Sequence, residues 1–151
     1  MSRRLILPLV ILAALAGCGG NDEEEFDEQY GRLNGRLLDV GRDVDRGLRS
    51  AAGKSNKQLS EQFAAFALRL EALNTGLRRR DPPDELEGRS ATLIARIDDT
   101  IKDLKAISGA TGEGDRQATV DAVLAFNTSS RALNRAQNAL ARATGASVGP
   151  R

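Results

Sequence analysis

Three groups of side chains are spaced so that they could do chemistry. Asp98, Asp99 and Asp103 lie close together, with Lys102 and Lys105 beside them. Asp99 and Asp103 stand one helical turn apart and share a face, which suits a weak site for a hard cation. The neighbouring lysines favour a plainer reading, a solvated face that neutralises itself. Arg78-Arg79-Arg80 is the densest positive run. Guanidiniums at the end of a helix complement its negative pole, and the same cluster could grip an anionic polymer or lipid headgroup. Ser130 and Gln137 stand one heptad apart on an otherwise apolar seam. Facing a helical interior, they either bond across helices and fix their register or line a pocket for a small ligand.

What is missing narrows the chemistry further. The sequence holds no histidine, which removes the commonest general base, the usual transition-metal ligand and any Ser-His pair. The glycine-rich stretch at 109–114 lacks the Lys-Ser/Thr ending of a phosphate loop. No nucleophile stands beside a base. The residues therefore predict a non-enzymatic protein with no cofactor and no metal.

One reactive group remains, a thiol. Cys18 is the single cysteine, so no intrachain disulfide can form. It closes a segment that opens with Arg3 and Arg4 and runs through Leu5 to Leu15, aliphatic throughout except for Pro8. A positive start followed by a short apolar run is the layout of an export signal. As a helix that run would reach about 16 Å, against roughly 30 Å of bilayer hydrocarbon. It is too short to span. Ala16 and Gly17 then supply the small residues that a peptidase needs beside its cut.

Leu15-Ala16-Gly17-Cys18 resembles the lipobox of bacterial lipoproteins, and the resemblance takes in the whole of residues 1 to 18. It implies a diacylglyceryl group on the Cys18 sulfur, cleavage between Gly17 and Cys18, and a new amino group on Cys18 open to acylation. Two or three acyl chains, at about 0.8 kcal/mol per buried methylene, would hold the protein durably at a membrane. The implied location is extracytoplasmic, on the cell membrane or, in an organism with two membranes, on the outer one. The turn Asp81-Pro82-Pro83-Asp84-Glu85-Leu86 is similar to a hairpin of uncharacterised helix-rich envelope lipoproteins of actinobacterial type. That likeness implies a fold and carries no activity.

Removing the first 17 of 151 residues takes Arg3 and Arg4 from 22 basic residues and leaves the 21 acidic ones untouched, so the mature chain is near neutral. Without a basic surplus and with few aromatic side chains, nucleic acid is excluded as a partner. The membrane, reached through the lipid, and an envelope protein are the partners to expect. The runner-up reading is a bundle that binds or senses a small ligand. Oligomeric state is not encoded in any feature of the sequence.

The elements that must position these residues are helical. Phe26, Tyr30, Leu33, Leu37, Val40, Val44 and Leu48 recur every three or four residues, the stripe of an amphipathic helix. Similar stripes follow from Leu59 to Leu77, from Leu86 to Ile107, and from Val120 through Leu124 and Leu133 to Leu140. Gly53 can close the first helix, Ser55 and Gln58 form a capping box, the Pro82-Pro83 pair starts the third helix, and Asp115 caps the last. Gly109 to Gly114 read as the third break. Short connections make neighbouring helices antiparallel, so the pattern predicts an all-α, up-down-up-down four-helix bundle. The expected boundaries are a signal segment at 1–17, a lipidated Cys18 with a flexible acidic tether at 18–25, the bundle at 26–144 and a disordered tail at 145–151. Gly31, Gly35, Gly41 and Gly47 make the first helix the weakest. The Gly31-x-x-x-Gly35 spacing lies off the seam, among charged and polar residues, and carries no membrane-helix meaning.

Overall fold

The computed structural model describes residues 20–149. Four antiparallel α-helices pack into one bundle: α1 (Gly20–Arg49), α2 (Asn56–Arg78), α3 (Asp84–Glu113) and α4 (Arg116–Ala143), with a 3₁₀ turn at Ala51–Gly53 between the first two. The stretch expected to be a signal segment, with Gly17 and Cys18, lies outside the described residues. Among the described residues no helix is long and apolar enough to cross a membrane.

The local stop and start signals work as their chemistry requires. Ser55 Oγ accepts from the Gln58 amide at 3.3 Å while Gln58 Oε1 accepts from the Ser55 amide at 2.9 Å, which completes the capping box of α2. At the other end of α2 the Asp81-Pro82-Pro83 stretch ends helical hydrogen bonding. Pro83 O then accepts from Leu86 N at 2.8 Å, and Asp84, Glu85 and Glu87 place negative charge at the positive end of α3.

The α3–α4 connection is shorter than the sequence suggests. Gly109 and Gly112 do not break the helix, which continues to Glu113. Of the three glycines only Gly114 is left-handed, at φ 73°; Gly114 N donates to Thr111 O at 3.2 Å and Asp115 N to Ala110 O at 3.0 Å. That pair of bonds is a Schellman ending, which needs a residue free to adopt positive φ. Asp115 also accepts from Ala118 N at 2.9 Å, so one residue both finishes α3 and caps α4. Gly112 serves packing instead: a Cβ there would come within 3.0 Å of Ser60 Oγ on α2.

The core is one continuous cluster. Tyr30, Phe63, Leu77, Leu93, Ile97, Leu104, Ile107 and Leu140 are all but inaccessible. Phe26 stacks on Tyr30 with ring centroids 6.2 Å apart, and Phe63 meets Phe66 edge-on at 5.9 Å. The stripe of α4 differs from expectation. Val120 and Leu124 point outward, at 53% and 60% exposure, and the buried face is Ala122, Phe126, Leu133, Ala136, Gln137, Leu140 and Ala141. Small alanines let α3 and α4 approach closely.

Both ends of the described residues depart from the expected boundaries. α1 is helical from Gly20, the first described residue, so residues 20–25 of the 18–25 stretch expected as a flexible tether are helical. Acidic residue types are compatible with the positive end of a helix. At the other end, residues 145–149, read as part of a disordered tail, fold back onto the bundle. Gly145 turns the chain with φ 67°, Ala146 packs on the core, and Ser147 and Gly149 make hydrogen bonds described below. Pro150 and Arg151 lie outside the described residues.

α1 is set apart from the other three helices. It approaches α2 less closely than α2 and α3, or α3 and α4, approach one another, and it meets α4 over a short stretch only. Its register on α2 is fixed by Arg69 Nη1 donating to Asp43 Oδ2 at 2.7 Å and, just past the end of α2, by Arg80 donating to Gln29.

Candidate functional site

The most constrained polar site lies where α1 faces α4. Tyr30 and Asn34 are one turn apart on α1 and project to the same flank. Gln137 projects from α4 to meet them. Gln137 Nε2 donates to Asn34 Oδ1 at 2.8 Å, and Tyr30 Oη donates to the Gln137 carbonyl at 3.2 Å. Asn34 Nδ2 in turn donates to the Ser147 carbonyl of the returning tail at 2.6 Å. Asn34 is 1% exposed and Gln137 3%. At that depth an unpaired amide costs on the order of 1–3 kcal/mol, so mutual satisfaction is what lets both be buried. Burial also pushes the Tyr30 phenol well above its ordinary range, so it remains a neutral donor.

Of the two polar seam residues expected to act together, only Gln137 belongs to this network. Ser130 Oγ donates to the Asn127 carbonyl of its own helix at 3.2 Å, a local bond of the kind hydroxyls make on helix flanks. It sits half-buried two turns from Gln137 and shares no hydrogen bond with it. Asn34 was missed in the sequence because it stands among Arg32, Gly35 and Arg36. Its position one turn after Tyr30 and one turn before Leu38 was the available signal.

The arginine run is not gathered into one site. Arg78 reaches α3 and pairs with Asp98, Arg80 reaches α1 and meets Gln29, and Arg79 is exposed at the end of α2. Consecutive residues near a helix end point about 100° apart, which sends three side chains in three directions. The carboxylates disperse in the same way. Asp98 accepts from Asn74 Nδ2 at 2.6 Å as well as from Arg78, and Asp99 accepts from Arg96 at 2.9 Å. Among the described residues no three acidic or sulfur ligands are grouped to hold a metal ion.

A groove of about 210 Å³ opens between α1 and α2, with Val40, Ala72 and Leu73 as its apolar floor and Arg36, Asp39 and Arg69 on its rim. It is shallow and open to solvent. Arg69 is held by Asp43, whose carboxyl sits below its ordinary value because Arg69 hydrogen-bonds it, with the charges of Arg69, Arg46 and Arg42 adding to the effect. Leu68, Val120 and Leu124 are the large apolar side chains left exposed on the helices.

Compared with known proteins, the chain matches no family model, no curated protein and no solved structure.

Proposed function

We propose that the chain is a lipid-anchored cell-envelope protein in which the helical bundle has a non-enzymatic protein-interaction or scaffolding role. The observation that carries the reading is the N-terminal order of Arg3-Arg4, a short apolar run, and Leu15-Ala16-Gly17-Cys18. Because α1 is helical from Gly20, two positions after Cys18, a lipid on Cys18 would join the bilayer close to the N-terminal end of the bundle. The bundle would then stand against the membrane surface at the end that carries the α2–α3 turn. About 45 Å away, by the rise of a 30-residue helix, the opposite end would face outward.

The rest of the reading rests on what the bundle offers. Gln137 is occupied by Asn34, and the groove beside Arg36 is shallow, so what remains for recognition is helical surface, including Val120 and Leu124 one turn apart on α4. Cys18→Ala tests the anchor. Wild type should incorporate labelled fatty acid and fractionate with membranes, and the variant should lose the label and accumulate as a longer precursor. Identical processing and fractionation of the two would remove the anchor. For the scaffold role, crosslinking in intact cells should yield defined partners with wild type and lose them in Val120→Lys/Leu124→Lys.

A further inference from the structure

We propose that α1 is a hinged arm, which opens as a unit from the α2–α3–α4 core about residues 50–55 and is latched shut by residues 145–149 acting through Asn34. Four features of α1 converge on this behaviour, and none of them depends on the lipid anchor.

The first is its glycine content. A glycine inside a helix lowers its stability, and the usual compensation is a close contact that a Cβ would block. Gly47 has that excuse: a Cβ there would come within 3.0 Å of Gln62 and Phe66. Gly31, Gly35 and Gly41 do not, since nothing lies within 4 Å of where their Cβ atoms would be. Three positions thus weaken α1 with no packing in return.

The second is packing, for α1 meets α2 less closely than α2 meets α3 or α3 meets α4, and it meets α4 over a short stretch only. The third is charge. Glu28–Arg32, Asp39–Arg42, Asp43–Arg46 and Asp45–Arg49 pair within α1, so most of its ionic contacts would travel with it on opening. The fourth is the nature of its contact with α4. Asn34, Gln137 and Tyr30 Oη meet there through hydrogen bonds that water can replace once the seam parts. The apolar stripe of α1 keeps the arm closed at rest.

The tail crosses this seam and touches both sides of it. Asn34 on α1 donates to Ser147 O, Leu38 on α1 lies against Gly149, and Gly149 N donates to Asn138 Oδ1 on α4 at 2.8 Å. A segment bonded to two helices at once resists their separation. The same amide of Asn34 that holds the tail also receives Gln137, so latch and seam share one side chain.

Hydrogen exchange read by mass spectrometry on the purified full chain tests both parts. If the arm opens on its own, α1 peptides exchange at least tenfold faster than α3 peptides. Ala95→Gly, at an exposed α3 position, then speeds exchange in α3 roughly fivefold and leaves α1 unchanged. Equal exchange in the two helices, or α1 following α3 in Ala95→Gly, would mean one cooperative unit and would overturn the arm. Ending the chain at Gly145 should speed exchange in α1 several-fold more than Asn127→Ala, a control in α4 remote from the tail. No change in α1 on truncation would overturn the latch and leave the arm standing.

Discussion

Gln137 and Asn34 are 103 positions apart in sequence and share a buried 2.8 Å hydrogen bond that closes the bundle between its first and last helices. Each amide is inaccessible to water, so each depends on the other. Gln137→Ala leaves Asn34 Oδ1 without this donor and should cost about 2–3 kcal/mol in urea unfolding. Ser130→Ala, which removes only a bond within its own helix, should change stability by less than about 0.5 kcal/mol. Asn34→Leu/Gln137→Leu should recover much of the loss of either single change, because two apolar side chains remove both buried amides and leave only the carbonyl of exposed Ser147, which water can satisfy. A double-mutant cycle with no coupling between the two positions would contradict the contact.

The glycines divide by environment, and the division predicts opposite signs. Gly31→Ala, Gly35→Ala and Gly41→Ala should each stabilise the bundle by about 0.5–1 kcal/mol, since helix propensity improves and the space is empty. Gly114→Ala should destabilise it by about 1–2 kcal/mol, because its backbone is left-handed and a Cβ would meet Asn56 at 3.3 Å. Thermal unfolding of the four variants reads both signs directly.

Stability should depend on pH through two aspartates of α1 that shift in opposite directions. Burial raises Asp27 above its ordinary value of 3.8, and its Oδ1 is buried without a hydrogen-bond partner. Its charge therefore opposes folding at neutral pH, and the penalty lifts as pH falls through the raised pKa. Asp27→Asn should raise the Tm at pH 7, with the gain disappearing towards pH 3. Asp43 is lowered instead, mainly by the Arg69 hydrogen bond, so its contribution is present above the ordinary Asp range and lost as pH falls through its folded pKa. Arg69→Ala should accordingly lower the Tm at pH 7 and match wild type at pH 2.

The connection between α3 and α4 gives a sharper test of capping. Asp115 supplies both the amide that ends one helix and the carboxylate that starts the next. Asp115→Ala removes only the carboxylate, and Asp115→Asn keeps an oxygen in the same place. The alanine variant should lose about 1 kcal/mol and the asparagine variant much less.

How much of this was legible in the sequence follows the range of each signal. The caps at Ser55 and Asp115 act over three residues and could be read directly. So could the stripe of α1, whose apolar side chains are large and regularly spaced. The stripe of α4 was misread, because its buried face relies on Ala122, Ala136 and Ala141 while Val120 and Leu124 are conspicuous and exposed. Gly112 looked like a break, since sequence alone does not distinguish a glycine that frees the backbone from one that admits a neighbouring hydroxyl. Of the candidate polar pair, Gln137 could be found by its place on the seam. Asn34 carried one signal, its place one turn after Tyr30 and one turn before Leu38, but its pairing with Gln137 and Ser147 spans more than 100 positions and has no local trace.

The order of the helices leaves one closure to be made late. α1–α2, α2–α3 and α3–α4 each join neighbours across a short connection, whereas Tyr30 reaches Gln137 over 107 positions. Loop entropy delays long-range contacts relative to local ones. The chain should therefore collapse as successive hairpins, and the ring should shut last. Its kinetic signature would be substitutions at Asn34 and Gln137 that leave the refolding rate nearly unchanged and appear almost entirely as faster unfolding.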